Sequence, residues 1–242
     1  MTVTLAVPSK GRIRDEALAT LARAGLEPAP LADERSYRTS VPAVPGLEIA
    51  FLSASEIARE LAARRISLGI TGEDLAREST PDFERRMRVE ARLGFGHADV
   101  VVAVPTPWFD VADMADLADV AAGFRANHGR RLRVATKYRR LTRAHFAASG
   151  VRLYRIVESL GATEGAPHSG LADVIVDITS TGSTLRANDL KVPRGGLVLR
   201  SEACLIASSP ATLSPPSGGG GGRLTDDVIG RIRAAVADDP PR

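Results

Sequence analysis

The sequence predicts an α/β protein, and three observations carry that prediction. Short apolar runs typical of strands alternate with helix-like patterns along most of the 242 residues. The run 174–178 is apolar on both faces apart from Asp177, as strands are when helices cover both sides of a parallel sheet. The composition, with 44% hydrophobic and 25% charged residues, is that of an ordinary soluble globular protein.

The elements follow from apolar periodicity and turn residues. Strands are predicted at 2–7, 47–52, 67–70, 89–94, 100–104, 132–135, 151–157, 174–178 and 205–207. Helices are predicted at 56–64, 73–77, 141–149, 163–170 and 184–190. Two more helices show an apolar face, one through Ile13, Ala17, Leu18 and Leu21 that ends at Gly25, the other through Val228, Ile229, Ile232 and Val236. The residues Thr71 and Asp74 predict a capping box at a helix start.

Charge and composition exclude several classes of function. The net charge of +3 is modest, and basic residues are scattered among acids, so we expect no nucleic-acid partner. Since the sequence has no apolar run of membrane-spanning length and no secretory signal at its start, we expect a cytoplasmic protein with no membrane contact. The single cysteine, Cys204, is predicted to be a buried hydrophobe. The segment 209–223, with its glycine run 218–222, predicts a flexible loop.

The segment 171–188 is the strongest functional signal. Asp173 and Asp177 are four residues apart, so on a strand they face the same side. The strand runs into a turn rich in hydroxyls and backbone N–H groups, in which Gly182 can adopt positive φ before a helix. A phosphate is predicted in this turn, with the two carboxylates reaching ribose hydroxyls or a magnesium ion. The simpler interpretation is that the hydroxyls only cap the helix, but buried acids without partners are rare and favour a ligand.

Two of the few lysines, Lys10 and Lys137, directly follow predicted strands, where a compact ammonium can bind phosphate. Other familiar sites are missing from the sequence. It contains no Gly-x-x-x-x-Gly-Lys loop and no full dinucleotide fingerprint, and its four histidines and one cysteine lack the spacing of a zinc site. No serine occupies a Gly-x-Ser-x-Gly frame.

Several segments together resemble one family, ATP phosphoribosyltransferase. They are Pro8-Ser-Lys-Gly-Arg12, Leu68-Gly-Ile-Thr-Gly-Glu-Asp-Leu75, Leu93-Gly-Phe-Gly96, Arg133-Val-Ala-Thr-Lys-Tyr138, Gly161-Ala-Thr-Glu164 and the segment through Asn188. The resemblance covers most of the chain up to about Ala207. It is to the short form of the family, which lacks a C-terminal regulatory domain and works with a separate subunit that resembles histidyl-tRNA synthetase.

The resemblance implies two α/β lobes of periplasmic-binding-protein-like (type II) architecture, with mostly parallel sheets and a cleft between them. Lobe one would comprise residues 1–98 and 192–242, and lobe two residues 99–191 with the phosphate turn. The chain departs from the family at two places. An arginine and an aspartate often present after the third strand are absent from Phe51-Leu-Ser-Ala-Ser-Glu56, and the segment Ser159-Leu-Gly-Ala-Thr-Glu164 is altered.

The implied reaction transfers the phosphoribosyl group from phosphoribosyl pyrophosphate to N1 of ATP and releases pyrophosphate, as the first step of histidine biosynthesis. Lys10, Arg12 and Glu164 are the expected catalytic residues. The donor, phosphoribosyl pyrophosphate, is expected at Asp173, Asp177, Thr179, Ser180, Thr181, Gly182, Ser183 and Thr184. ATP is expected at Lys10, Thr71, Gly72, Glu73, Lys137 and Tyr138, and Mg²⁺ at Glu164, Asp173 and Asp177.

Two other functions fit parts of the pattern: a two-lobed cytoplasmic module that binds an anion or other ligand without catalysis, and a phosphoribosyltransferase that acts on a free base. A free-base enzyme should not need Lys10 or the segment 71–73. As partners, the resemblance implies the regulatory subunit, in a hetero-oligomer that contains a homodimer of this chain.

Overall fold

The computed structural model describes residues 2–31, 33, 36–159, 161–208 and 221–238. The chain forms two compact units, unit 1 within residues 1–97 and 202–242, and unit 2 within residues 98–201. Among the described residues, no helix has both the length and the apolar character needed to span a bilayer.

The helices and strands alternate through most of the chain. In order they are β1 (Val3–Pro8), α1 (Arg12–Arg23), β2 (Arg38–Ser40), β3 (Leu47–Leu52), α2 (Ala54–Ala62), β4 (Leu68–Gly72), α3 (Glu73–Ser79), α4 (Phe83–Arg86), β5 (Met87–Arg92), β6 (Ala98–Pro105), α5 (Met114–His128), β7 (Leu132–Thr136), α6 (Arg139–Ala148), β8 (Tyr154–Glu158), a 3₁₀ turn (Thr163–Gly165), β9 (Val174–Thr179), α7 (Ser183–Ala187), β10 (Leu190–Lys191), β11 (Leu197–Ser201), β12 (Ala203–Ser208) and α8 (Gly221–Ala237).

Unit 1 is built on a mixed sheet of order β2-β3-β1-β4-β12-β5. Its centre is parallel, since β1 pairs in parallel with both β3 and β4, while β2, β12 and β5 pair antiparallel. Helices α1 and α8 cover one face, where Leu21 and Ile232 are buried with the residues of β1 and β3. The predicted apolar face of the C-terminal helix is confirmed, because Val228, Ile229 and Ile232 belong to this core.

Helix α2 covers the other face of unit 1, where Ile57 and Leu61 are buried. It begins with a capping box, in which the Ser53 side chain accepts a hydrogen bond from the Glu56 backbone N–H and the Glu56 carboxylate accepts one from the Ser53 backbone N–H. Gly69 on β4 allows the close approach of this helix, because a Cβ at that position would lie 2.5 Å from Ile57 Cγ2.

Unit 2 has a second mixed sheet of order β10-β6-β9-β7-β8, with β11 also paired to β6. Strands β9, β7 and β8 are parallel, and β6 is antiparallel to β9. The α/β class agrees with the sequence prediction. The sheets are mixed rather than mostly parallel, because four strand pairings are parallel and six are antiparallel among the described residues. Residues 192–201 were predicted in lobe one but lie in unit 2, because β11 pairs with β6 there.

Some predicted elements are wrong. The segment 163–170 forms only a 3₁₀ turn at Thr163–Gly165. The expected capping box at residues 71–74 is absent, because Gly72 is the N-cap of α3 and the Thr71 hydroxyl donates to the Ala54 carbonyl oxygen at 3.1 Å. Most of the predicted loop 209–223 lies outside the described residues, but its last three residues belong to α8.

The structure gives a direct test of the packing between α2 and β4. Gly69→Ala places a methyl group against Ile57, so we expect the free energy of unfolding to fall by about 1–3 kcal/mol, as other overpacked cores do. Urea denaturation measures this change. Gly123→Ala is the matched control. Gly123 lies within α5, and a Cβ there would make an ordinary contact with Asn127 Nδ2 at 3.9 Å, so alanine should stabilise that helix by about 0.5–1 kcal/mol. Equal effects at both positions would contradict the packing argument.

Candidate functional site

The candidate site in unit 2 lies at the carboxyl edge of its parallel strands. Strands β9, β7 and β8 run in the same direction, so their carboxyl ends meet at one edge of the sheet. Lys137 follows β7, the turn 179–184 begins at the end of β9, and Glu164 lies in the connection after β8. Ligands of open α/β sheets bind at this edge.

The turn 179–184 is closed by its own hydrogen bonds. The backbone N–H of Gly182 donates to Thr179 Oγ1 at 2.9 Å, and the N–H of Ser183 donates to Thr181 Oγ1 at 3.3 Å. Gly182 has φ 70°, in the left-handed region that favours glycine, and is the N-cap of α7. Ser180, Thr181, Ser183 and Thr184 are exposed. The turn therefore presents hydroxyls to solvent on a fixed backbone.

Asp177 is the acid nearest to this turn along the strand. Its side chain is 15% exposed, and its Oδ1 atom accepts a hydrogen bond from the Ile178 N–H at 2.9 Å. Lys137 Nζ lies 3.9 Å from the same oxygen. Ile178, which was expected to be covered, is 39% exposed, so the end of β9 is open to solvent.

Asp173 requires a correction, because it lies at the opposite end of the strand. It precedes β9 by one residue, and four residues of strand separate it from Asp177 by about 13 Å. Its carboxylate accepts hydrogen bonds from Arg130 at 2.6 and 2.9 Å and from the Arg133 backbone N–H at 2.8 Å. The Arg133 guanidinium donates two more. We therefore withdraw Asp173 from the predicted donor and metal ligands.

The environment of Asp173 shifts its pKa strongly. Burial works against the charged form, but the hydrogen bonds from Arg130 and Arg133 outweigh it and lower the pKa from 3.8 to about 2. A cavity of about 530 Å³, lined in part by Trp108 and Phe124, reaches Arg130 and Asp173. This cavity is an alternative to the turn 179–184 as a ligand site, because it reaches Asp173 instead of Asp177.

Tyr138 and Glu164 differ in their availability to a ligand. The Tyr138 side chain is only 1% exposed, so its ring offers little surface for the ATP contact that was predicted. Its backbone N–H donates to Thr136 Oγ1 at 2.8 Å. Glu164 is half-buried within the 3₁₀ turn, next to Thr163, whose hydroxyl donates to Ser159 Oγ at 3.0 Å. Glu164 remains a candidate ligand.

The predicted residues of unit 1 also follow parallel strands. Lys10 and Arg12 come after β1 and are exposed, and Arg12 Nε lies 3.4 Å from Glu16 Oε1. The segment 71–73 ends β4, but its side chains point inward. Thr71 is fully buried. Glu73 is 1% exposed and forms ion pairs with Arg77 at 2.7 Å and Arg92 at 2.6 Å.

The Glu73 carboxylate therefore has a structural role that contradicts its expected contact with ATP. Its charge is compensated by two arginines inside unit 1, as a buried acid requires. Only the backbone of 71–73 at the carboxyl edge remains for a ligand. In unit 1 the exposed charged candidates are thus Lys10 and Arg12.

The carboxylates of the described residues do not form a cage for a metal. No group of three or more His, Cys, Asp or Glu side chains among them is close enough to hold an ion. With Asp173 withdrawn, Asp177 and Glu164 remain as the predicted ligands.

The structure adds one residue that sequence reasoning missed. Asp99, at the start of β6, pairs in register with Thr179 and therefore lies beside the start of the turn. Because β6 is antiparallel to β9, an acid at its amino end reaches the carboxyl edge. The residues around Asp99 gave no indication that it lies beside the turn, since the strand pairing joins segments about 80 residues apart.

Comparisons with known proteins agree with this fold. The family model described as "HisG: ATP phosphoribosyltransferase" matches residues 53–232. An ATP phosphoribosyltransferase of Rhizobium meliloti (strain 1021) is 62% identical over 213 residues, which cover 88% of this chain and 92% of the relative. The enzyme of Sinorhizobium medicae (strain WSM419) is 58% identical over 237 residues, which cover 98% of this chain and 100% of the relative. The enzyme of Brucella suis biovar 1 (strain 1330) is 56% identical over 237 residues, which cover 98% of this chain and 99% of the relative.

Solved structures share the fold. One described as "ATP phosphoribosyl transferase (HisG:HisZ) complex from Thermotoga maritima" has a TM-score of 0.71 at 21% identity and covers 98% of this chain and 99% of that one. The substrate binding protein of an amino acid ABC transporter has a TM-score of 0.53 at 12% identity, with 98% and 94% covered.

The fold defines a two-unit α/β protein of periplasmic-binding-protein-like (type II) architecture. The family match and the relatives then identify the chain more closely. The chain belongs to the ATP phosphoribosyltransferase family. It is a pentosyltransferase that performs the first step of histidine biosynthesis.

The contacts of Asp173 predict a stability effect that depends on pH. Asp173→Asn removes the charge, so at pH 7 the free energy of unfolding should fall by about 2 kcal/mol, the equivalent of a shift of nearly two pKa units. A lowered pKa stabilises the fold above the unfolded-state pKa, so the difference from wild type should shrink as the pH falls from about 4 towards 2. Urea titrations at several pH values measure it.

The Michaelis constant for phosphoribosyl pyrophosphate separates a structural from a ligand-binding Asp173. We expect Asp173→Asn to leave this constant within about twofold of wild type, as for a residue that does not touch the donor. A large increase together with unchanged stability would return Asp173 to the donor site.

Proposed function

We propose that unit 2 binds phosphoribosyl pyrophosphate with the 5′-phosphate in the turn 179–184 and the ribose hydroxyls on Asp177. The main support for this proposal is the geometry of the turn. Gly182 at φ 70° and the Thr179–Gly182 hydrogen bond hold Ser180, Thr181, Ser183 and Thr184 exposed at the carboxyl edge. Hydroxyl and amide donors of this kind suit a phosphate dianion, and a carboxylate accepts hydrogen bonds from two sugar hydroxyls.

In this proposal the cations of unit 1 act on phosphates. Lys10 and Arg12 bind anionic oxygens of ATP or the donor, and the backbone of 71–73 contributes to the ATP site. The adenine N1 atom attacks C1 of the ribose, the bond from C1 to pyrophosphate breaks, and the anomeric carbon inverts. Catalysis then consists mainly of holding N1 in line with C1 and stabilising the negative charge that develops on pyrophosphate. Glu164 assists at the metal or at the adenine amino group.

Magnesium is part of the proposal. Asp177 and Glu164 would hold it together with substrate phosphates, which agrees with the lack of a carboxylate cage among the described residues. When bound, Mg²⁺ supplies positive charge that makes pyrophosphate a better leaving group.

We propose further that this chain works in the cytoplasm as the catalytic subunit of a hetero-oligomer. The regulatory partner would resemble histidyl-tRNA synthetase, and the chain itself would form a homodimer. The structural neighbour from Thermotoga maritima, described as a HisG:HisZ complex, supports a partner subunit.

The reaction itself can be tested by product mass. Incubation with ATP, phosphoribosyl pyrophosphate and Mg²⁺ should give phosphoribosyl-ATP and pyrophosphate, while free bases should give no nucleotide. Consumption of a free base alone would favour the free-base enzyme, and tight binding of either substrate without turnover would favour a binding module.

The donor turn is tested by a pair of glycine variants. Gly182→Ala forces alanine into φ 70° and places its Cβ 3.0 Å from Arg186 Nη1, so the backbone of the turn is strained and the Arg186 side chain must shift. We expect the Michaelis constant for phosphoribosyl pyrophosphate to rise by about tenfold or more, with a smaller change for ATP. Gly129→Ala is the control. Gly129 has φ 65° at the end of α5, and a Cβ placed there would have no neighbouring atom within 4 Å. Both variants meet the same backbone penalty, so equal kinetics would place the donor elsewhere.

The partner is tested by purification from the native host. The tagged chain should recover a subunit whose sequence resembles histidyl-tRNA synthetase, and histidine should inhibit the complex more strongly than the chain alone. A chain recovered alone that is still fully sensitive to histidine would contradict the proposed subunit.

A further inference from the structure

Two pairs of cation and carboxylate occupy the same register on β7 and β9. The parallel register joins Val134 to Val174 and Ala135 to Ile175. One residue further towards the amino edge, the same register joins Arg133 to Asp173. Two residues further towards the carboxyl edge, it joins Lys137 to Asp177. Both ion pairs are observed, at 3.2 and 3.9 Å. One arrangement of charges therefore occurs at both edges of the sheet and can be compared directly.

The two pairs differ in how completely the acid is satisfied. Asp173 accepts hydrogen bonds from two arginines and a backbone N–H, and its side chain is 10% exposed. At the carboxyl edge, Asp177 is 15% exposed and accepts a hydrogen bond from the Ile178 backbone N–H, while Lys137 is 42% exposed and lies 3.9 Å from Asp177, beyond hydrogen-bond length. An open pair at that distance adds little to stability. The Lys137–Asp177 contact can therefore be replaced by contacts from each residue to a ligand with little loss of stability.

The Tyr138 ring determines where the Lys137 ammonium lies. The ring is buried at 1% exposure, and Lys137 Nζ lies 5.1 Å from its centroid, within the range of a cation–π contact. The hydrogen bond from the Tyr138 backbone N–H to Thr136 Oγ1 fixes the chain at this point. A flexible lysine is thus held beside Asp177, at the edge where β9 leads into the turn 179–184.

We propose that Lys137 binds the phosphoribosyl donor rather than ATP, and that Tyr138 is a positioning residue that acts through it. The inference rests on the proposed donor site. Ribose hydroxyls donate hydrogen bonds to Asp177 and take the place of Lys137. The released ammonium then binds a pyrophosphate oxygen of the same donor, where negative charge grows as the bond to C1 breaks. This assignment replaces the expectation of Lys137 as an ATP contact.

The first test separates the two substrates. For Lys137→Ala, the Michaelis constant for phosphoribosyl pyrophosphate should rise by about tenfold or more, with that for ATP within about twofold. Isothermal titration with phosphoribosyl pyrophosphate and Mg²⁺ should show the same loss of affinity without ATP present. A rise confined to ATP overturns the inference.

The second test concerns Tyr138 and uses a double-mutant cycle on the donor Michaelis constant. Tyr138→Leu removes the ring and should raise this constant, while Tyr138→Phe keeps the ring and should restore it to near the wild-type value. In the Lys137→Ala background, Tyr138→Leu should add no further increase, because its effect acts through the ammonium. Additive effects would mean that Tyr138 acts by packing alone and would overturn its positioning role.

A matched control accounts for the loss of a buried ring. Phe146 is fully buried in the same unit, on α6, and packs against Tyr154 with ring centroids 4.9 Å apart. Phe146→Leu should lower the thermal midpoint, as Tyr138→Leu does, and leave the donor Michaelis constant unchanged. An equal kinetic defect in Phe146→Leu would remove the case for Tyr138.

The outcomes distinguish this inference from the proposed function beneath it. If Gly182→Ala weakens the donor and Lys137→Ala weakens only ATP, the donor turn stands and the role of Lys137 is wrong. If neither variant weakens the donor although product is formed, the donor site itself is wrong and the inference falls with it.

Discussion

The parallel pairing of β7 with β9 is the constraint on which the candidate site depends. This register places a cation beside an acid at each end of the strand pair. At the amino edge, two arginines and a backbone N–H saturate Asp173, so that pair ties β9 to the connection between α5 and β7. At the carboxyl edge, the Lys137–Asp177 pair is the one that we propose meets the substrate. In that proposal, sheet polarity divides one repeated charge pattern into a structural half and a functional half.

Unit 1 follows the same division. Its parallel strands β1, β3 and β4 bring Lys10, Arg12 and the segment 71–73 to their carboxyl ends, and only the first two side chains are exposed there. Glu73 lies inside the unit with Arg77 and Arg92, where charge compensation permits its burial. In both units, an acid that the sequence marks as a ligand is instead part of a buried ion pair. The reaction needs cations and hydroxyls at these edges more than it needs further acids, because its substrates carry many phosphate oxygens.

The elements that the sequence predicted well are those with a strong local pattern. The strand at 47–52 was placed at its observed bounds, and the glycine of the donor turn adopts the positive φ expected of it. Helix α5 was missed because it is rich in alanine and has no clear apolar stripe, although Leu117 and Phe124 are buried. Strand β11 was missed because its pairing with β6 joins segments distant in sequence and sets the boundary of unit 2.

The fate of the acids could not be predicted locally either. The arginines that saturate Asp173 precede it by about 40 residues, and Arg92 meets Glu73 from another strand. No window of sequence contains both members of these pairs. The resemblance to a family identified the reaction, but only the fold shows that two arginines and a backbone N–H bind Asp173, whereas Asp177 has Lys137 beside it at 3.9 Å.

A crystal structure of the protein with phosphoribosyl pyrophosphate and Mg²⁺ tests the central claim most directly. We expect the 5′-phosphate within hydrogen-bond distance of the turn 179–184, with the ribose hydroxyls on Asp177 and with Asp173 still bound by Arg130 and Arg133. A donor seated in the cavity beside Arg130 and Asp173, with the turn making no contact to it, would contradict the division between the two edges of the sheet.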